Sequence, residues 1–303
     1  MNGYQIVGSL ATFPKRFETL DKVLNSLHHQ FDIIYLYINE SPKVPNMISK
    51  YNNVIPILGK ENYGDISANG KIFPLDNIIK KSYIFLLDDD FIYPSDYTNN
   101  IVHLINKFHG KIGVTVHGSI TSPNPYWYYD RTTGYGWKKG LETHKLVSLI
   151  GSGTFAYRND KFKLSFLDFP KEPMVDLKIS QQAYEQKIPL VSIKRPPYWI
   201  NFLGHEGLWE EYKNQITHHS YYLRRNRLWN YRESIECILK IIKEINGALD
   251  RELIEHYELE ESIINHYHNN NTHKDWKISE NTLEKRVELL NIINNDIKYI
   301  THL

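Results

Sequence analysis

The chain has 303 residues, 41% of them hydrophobic, which suffices for one large domain or a domain with an appendage. A formal net charge of +1 argues against a global electrostatic partner such as duplex DNA, so no nucleic-acid partner is expected. The single cysteine, Cys237, excludes an internal disulfide framework and a multi-cysteine zinc site, and it fits a reducing compartment.

The start, MNGYQIVGSLATFPKRF, lacks the basic lead and long apolar stretch of a signal peptide, and no run of about 18 apolar residues follows. A cytoplasmic protein is expected, with peripheral contact at the inner face of a membrane left open.

Residues 4–13 are rich in β-branched and apolar side chains and precede a proline, which predicts a buried first strand. Residues 16–30 place Phe17, Leu20, Val23, Leu24 and Leu27 at helical spacing. Strands are predicted over 32–40 and 52–59, then a loop carrying Gly64, Gly70 and Lys71, then a helix near 72–81. The next strand, SYIFLL, runs into Asp88, Asp89 and Asp90. A helix over 95–109 with a Ser or Asp N-cap and a strand over 111–119 follow. Alternating strands and helices predict an α/β fold with a mostly parallel sheet, in which ligands bind beyond the carboxyl ends of the strands.

The segment 122–140 is dense in Pro, Gly, Tyr and Trp and reads as a long functional loop. Strand character returns over 144–160 around a Gly-Ser-Gly turn, with a helix over 176–188 and a strand over 189–200. From about Trp229 Gly and Pro nearly vanish. The pattern predicts amphipathic helices over 232–245, with Ile235, Ile238, Leu239, Ile242 and Ile245 on one face, and over 279–300; the polar stretch 265–275 reads as a loop.

Three adjacent aspartates repel one another and are costly to bury unpaired. A hard divalent cation, Mn²⁺ or Mg²⁺, relieves that cost. In extended backbone, residues i and i+2 share a face, so Asp88 and Asp90 are the expected metal ligands and Asp89 points elsewhere. A solvated acidic turn is the plain alternative.

This strand-to-D-x-D segment resembles that of GT-A-fold glycosyltransferases, in particular family-two-like bacterial polysaccharide and glycan transferases. TFPKRF (12–17), NE (39–40), GDISANGKIFPL (64–75), GSGTFAYR (151–158) and PKEPMVDLKIS (170–180) are similar to further segments of such enzymes. The resemblance spans roughly the first 220 residues. It implies a GT-A catalytic domain over 1–225, a Rossmann-like mixed, mostly parallel sheet flanked by helices, and a helical C-terminal extension over 226–303.

By that resemblance, Asp88 and Asp90 would bind a divalent ion bridging the phosphates of a nucleotide-sugar donor, expected to be UDP-linked. Asp89 would contact the ribose or a nearby basic side chain. Thr12, Pro14, Arg16, Asn39, Glu40 and Lys71 complete the expected donor side, although Arg16 also reads as a surface arginine at a helix start. Asp176 is the expected base of an inverting transfer, with Glu172 in reserve; a plain N-cap is the alternative for Asp176. His205 is the expected third metal ligand, with His218 and His219 competing, and a solvent or packing histidine is the bland reading. Gly153 is expected on the acceptor side. Independently of the resemblance, Trp127, Tyr128 and Tyr129 read as a platform on which the C–H face of a sugar acceptor stacks, or equally as core under a long loop.

Arg224, Arg225, Arg227 and Arg232, interleaved with Tyr and Trp, suit a phosphate-bearing acceptor or an anionic surface; a solvated helix face is the default. The expected acceptor is a glycan or lipid-linked glycan in bacterial surface-polysaccharide synthesis, and the C-terminal helices leave a homo-oligomer open. A retaining transferase, a nucleotidyltransferase and a non-catalytic nucleotide- or glycan-binding scaffold remain alternatives.

Overall fold

The computed structural model describes residues 3–122, 128–169, 174–204, 223 and 227–246. The strands are β1 (Gln5–Thr12), β2 (Ile33–Ile38), β3 (Val54–Leu58), β4 (Ser82–Leu87), β5 (Phe91–Ile92), β6 (Gly113–Thr115), β7 (Gly118–Thr121), β8 (Arg131–Tyr135), β9 (Lys145–Val147), β10 (Leu149–Ile150), β11 (Thr154–Arg158), β12 (Leu190–Ser192) and β13 (Asn201–Phe202). The helices are α1 (Phe17–Leu27), α2 (Tyr97–Lys107), α3 (Val175–Glu185) and α4 (Tyr231–Asn246).

The main sheet has the order β3-β2-β1-β4-β11-β6-β12-β9. Pairing is parallel from β3 through β4 and between β6 and β12, whereas β11 runs antiparallel to both β4 and β6. The expected mixed, mostly parallel α/β sheet is therefore present. Every residue of β4 is buried, as a central strand covered on both faces requires. Amphipathic α1 buries Leu20, Val23, Leu24 and Leu27, each worth about 1.5–3 kcal/mol relative to exposure. Gly8 of β1 lies against Phe31, Ile34 and Leu87, where a Cβ would stand 3.1 Å from the Leu87 side chain.

Several local expectations are corrected. No α-helix forms near 72–81; a 3-10 turn spans Phe73–Asn77 with Pro74 in its first positions. Ile78 leaves helical geometry at φ −87°, ψ 87°; Ile72 and Leu75 are buried in the core, whereas 79–81 are exposed. The strand expected over 111–119 is two, β6 and β7, broken at Val116–His117. There the Val116 carbonyl accepts the Ser192 hydroxyl while β7 leaves for a second sheet, β10-β7-β8. Part of the expected loop 122–140 is thus strand β8. The strand expected over 189–200 shortens to β12, and the third strand pair is β13 with β5.

The helix expected over 95–109 is α2. Asp96 takes the N-cap position without a capping bond, its carboxylate accepting instead from Asn100 and Trp199. The chain divides into units Met1–Cys237 and Ile238–Leu303. Helix α4 buries Ile235, Ile238 and Ile241; Leu239 and Ile242 are half-buried, so the buried stripe is rotated from the expected one. The loop and helix expected over 265–275 and 279–300 lie outside the described residues.

Candidate active site

Strand β4 delivers Asp88, Asp89 and Asp90 at its carboxyl end, between the ends of β1 and β11. Tyr93 fixes the entry: its hydroxyl accepts the Asp88 N–H at 2.9 Å and donates to the Gly153 carbonyl at 2.6 Å. Asp89 turns inward and is 8% exposed. Its carboxylate accepts the Thr12 hydroxyl at 2.7 Å and Arg16 Nη1 at 3.3 Å. The same Nη1 donates to Asp90 at 2.7 Å. Asp88 pairs with Lys71, whose side chain is 3% exposed. Arg16 is buried, which replaces the surface reading of this residue.

Three carboxylates thus meet two cations, and burial raises the pKa of two of them, Asp89 and Asp90. Burial pushes the Asp89 carboxyl up to about 7 against the opposing pull of Arg16 and Thr12. Asp90 is raised by burial and then by the Asp88 charge, in spite of Arg16.

The Gly151-Ser152-Gly153 turn gathers the remaining chemistry. A Cβ on Gly153 would stand 1.9 Å from Asp88 Oδ2, and one on Gly151 would stand 1.8 Å from His117 Nε2. Between them the Ser152 N–H donates to Asp176 Oδ1 at 2.8 Å. Asp176 lies in the first turn of α3, and Met174 holds the N-cap position, so the plain-cap reading of Asp176 does not apply. His117 Nδ1 lies 3.2 Å from Thr154 Oγ1. Burial lowers the His117 imidazole pKa, while the charges of Asp176 and Asp88 both pull it upward. Asp176 and Asp88 therefore act on one imidazole from two segments far apart in sequence.

Pro14 opens the 3-10 turn that carries Arg16. Asn39 is buried and acts as a clip: its Nδ2 donates to Thr12 and Ser67 carbonyls, and its Oδ1 accepts the Ile66 N–H at 3.0 Å. Glu40 is exposed in a left-handed conformation, φ 55°. Tyr128 is half-buried beneath the Arg131 guanidinium, 4.7 Å from its ring centroid, and packs with Leu149, Met174, Leu177 and Leu223. Arg227 and Arg232 form ion pairs with Glu233 and Glu236. Trp127, Glu172, His205, His218, His219, Arg224 and Arg225 lie outside the described residues.

Among the described residues, no three His, Cys, Asp or Glu side chains converge as a metal-ligand set. Asp88 and Asp90 carry carboxylate oxygens, the donor type Mn²⁺ and Mg²⁺ take. The backbone turns at 89–90 rather than staying extended, so Asp89 and Asp90 share Arg16 Nη1 while Asp88 pairs with Lys71.

Two residues of this region were not singled out from sequence. His117 follows an apolar strand and precedes Gly118, a weak signal for a side chain at a strand end. Arg195 is 5% exposed and donates to the Gly136 carbonyl at 2.9 Å and the Ile193 carbonyl at 3.0 Å. Its own sequence context, IKRPPY, carries no hint of burial.

No family model and no curated protein sequence matches the chain. Among solved structures it is similar to the crystal structure of S. aureus TarS 1–349 in complex with UDP-GlcNAc, at 14% identity and a TM-score of 0.44, over 84% of this chain and 70% of that one. A crystal structure of S. aureus TarS 1–349 gives 14% identity and a TM-score of 0.42, over 84% and 69%.

Proposed function

We propose that the chain is a metal-dependent GT-A glycosyltransferase that moves a sugar from a nucleotide-sugar donor, UDP-linked, to a glycan acceptor in bacterial surface-polysaccharide synthesis. One observation carries the reading. Asp88 and Asp176, from β4 and α3, are brought to one glycine turn, with Arg16 and Lys71 steadying the acidic side.

On this reading Asp88 and Asp90 hold Mn²⁺ or Mg²⁺, which supplies positive charge where the departing diphosphate gathers negative charge. Lys71 lies on the same side and offers an ammonium to those phosphates. Asp89, engaged with Thr12 and Arg16, positions its neighbours rather than meeting the ligand. Asp176 removes the acceptor hydroxyl proton as that oxygen attacks the anomeric carbon. The bond from that carbon to the phosphate oxygen breaks, and its electron pair leaves with the nucleoside diphosphate. The outcome is inversion.

A thermal-shift screen of nucleoside diphosphates and nucleotide sugars, each with Mn²⁺ or with EDTA, tests this. A ligand that binds only the native state raises the midpoint. One nucleotide should do so with Mn²⁺ alone, and the shift should vanish in Asp88→Asn. No shift with any nucleotide under either condition would overturn the donor site.

A further inference from the structure

We propose that Phe91, Trp137 and Phe202 form a stacking subsite for a sugar ring of the acceptor, a role that rests on the transferase reading above. Phe91 follows Asp90 directly and opens β5, which pairs with β13 so that Phe91 lies opposite Phe202. The Leu203 N–H donates to the Asp90 carbonyl at 2.8 Å, which ties this strand pair to the acidic cluster. The three rings touch pairwise: Phe91–Trp137, Phe91–Phe202 and Trp137–Phe202 centroids are each 5.6 Å apart, inclined at 71°, 57° and 50°. On the inner side Phe91 meets the His117 ring at 6.1 Å. Exposure is graded outward from buried Phe91 through half-buried Trp137 to Phe202, 41% exposed.

The aromatic triangle therefore begins beside the imidazole that Asp176 and Asp88 both influence, and it ends in solvent. An aliphatic patch would serve packing equally well. Phe202 offers exposed ring surface, and aromatic rings suit the polarised C–H face of a sugar, whose hydroxyls remain free for polar partners. Lys138 Nζ lies over the Trp137 ring, 4.9 Å from its centroid, and would have to swing aside or donate to a sugar hydroxyl for a sugar to stack on that face.

The platform is also built to stay still. Arg195, buried and bonded to carbonyls and the Ser192 hydroxyl, has no carboxylate partner among the described residues. That costly placement fastens the Gly136 carbonyl, one residue before Trp137. Backbone bonds between Leu141 and Arg195, at 2.8 and 2.9 Å, and from the Tyr198 N–H to the Lys138 carbonyl, at 3.1 Å, close the same loop.

The test uses the full chain with Mn²⁺ and the nucleotide found above. Saturation-transfer NMR is read with the methyl β-glycosides of glucose, galactose and N-acetylglucosamine as probes. The variants are Phe202→Leu, Trp137→Ala and Trp137→Tyr; Phe202→Leu keeps an apolar packing group while removing the ring. At least one glycoside should bind the native protein through its ring C–H protons. Binding should weaken about tenfold in Phe202→Leu and Trp137→Ala and recover in Trp137→Tyr, as the loss of one ring contact implies. The nucleotide-induced midpoint shift should persist throughout. Native-like glycoside binding in Phe202→Leu would overturn the subsite, because packing alone would then explain the rings. So would the absence of glycoside binding to native protein that still shows the nucleotide shift. Glycoside binding without a nucleotide shift would uphold the platform and overturn the donor site instead.

Discussion

Asp89 is the most enclosed of the three aspartates, and its two bonds to Thr12 and Arg16 make it part of the scaffold. Asp176 is its opposite in kind, a carboxylate with one oxygen on the Ser152 N–H and the other without a described protein partner. Asp176→Asn keeps an oxygen for that N–H and removes the capacity to take a proton. The variant should retain the nucleotide-induced midpoint shift and lose transfer by about 10²–10⁴-fold, the usual worth of a general base. Transfer near the native rate in a radiochemical assay would reduce Asp176 to a tether for the turn. The triplet itself was legible in sequence, because an apolar strand ending in three like charges has few explanations. His117 was not: the groups that give it meaning, Gly151, Thr154 and Asp176, are reached only by long-range pairing.

Apolar runs mark β1, β2, β3 and β4 to within a few residues, although β4 is buried throughout while edge strand β3 buries only Val54. Strand β8, RTTGY, was hidden because it pairs outside the main sheet and alternates half-buried with exposed residues. The false helix near 72–81 arises from apolar spacing around Pro74: Ile72 and Leu75 do reach the core, but as a 3-10 turn that ends at Ile78. The β9–β12 edge carries a titratable group of its own. His144 is buried, and its Nδ1 accepts the Lys194 N–H at 3.0 Å, which requires the neutral ring. Burial first, then Lys194 and Lys107, pulls its pKa down to about 3. The unfolded chain takes up the proton near pH 6.5, so this contribution to stability is complete above that pH. It is lost as pH falls from there toward about 3, by up to about 1.4 kcal/mol per unit. His144→Asn keeps an acceptor and removes the titration. Urea midpoints at about pH 7.5 and about pH 5 should therefore lie closer together in the variant than in the native protein. An unchanged gap would place the acid sensitivity elsewhere.

At the scale of the molecule, the parallel half of the sheet points its carboxyl ends at one face, and β11 crosses it in reverse to bring the glycine turn beside Asp88. A formal net charge of +1 over 303 residues says nothing of the aspartate run at 88–90, nor of Arg16, Lys71 and Asp176, which folding brings to the same end of the sheet. Among the described residues no helix is long and apolar enough to cross a membrane. If the acidic cluster binds a cation, Mn²⁺ alone should raise the thermal midpoint reversibly with EDTA. Saturation near a hundred times Kd is worth about 2.7 kcal/mol, or on the order of 5–10 °C for a domain of this size. An unchanged midpoint in Mn²⁺ without nucleotide, followed by a shift with both, would mean that the phosphates complete the shell.

The two glycines of the 151–153 turn have a consequence for the gene as well as for the fold. Every amino-acid replacement reached from a glycine codon by one base change adds at least a Cβ, and at 151 and 153 that atom lands on His117 or Asp88. Ser152, between them, is itself buried and contributes its backbone N–H to Asp176, so small replacements such as alanine keep that bond. A library of point substitutions selected for activity should therefore return only glycine at the two outer codons and small residues at the middle one.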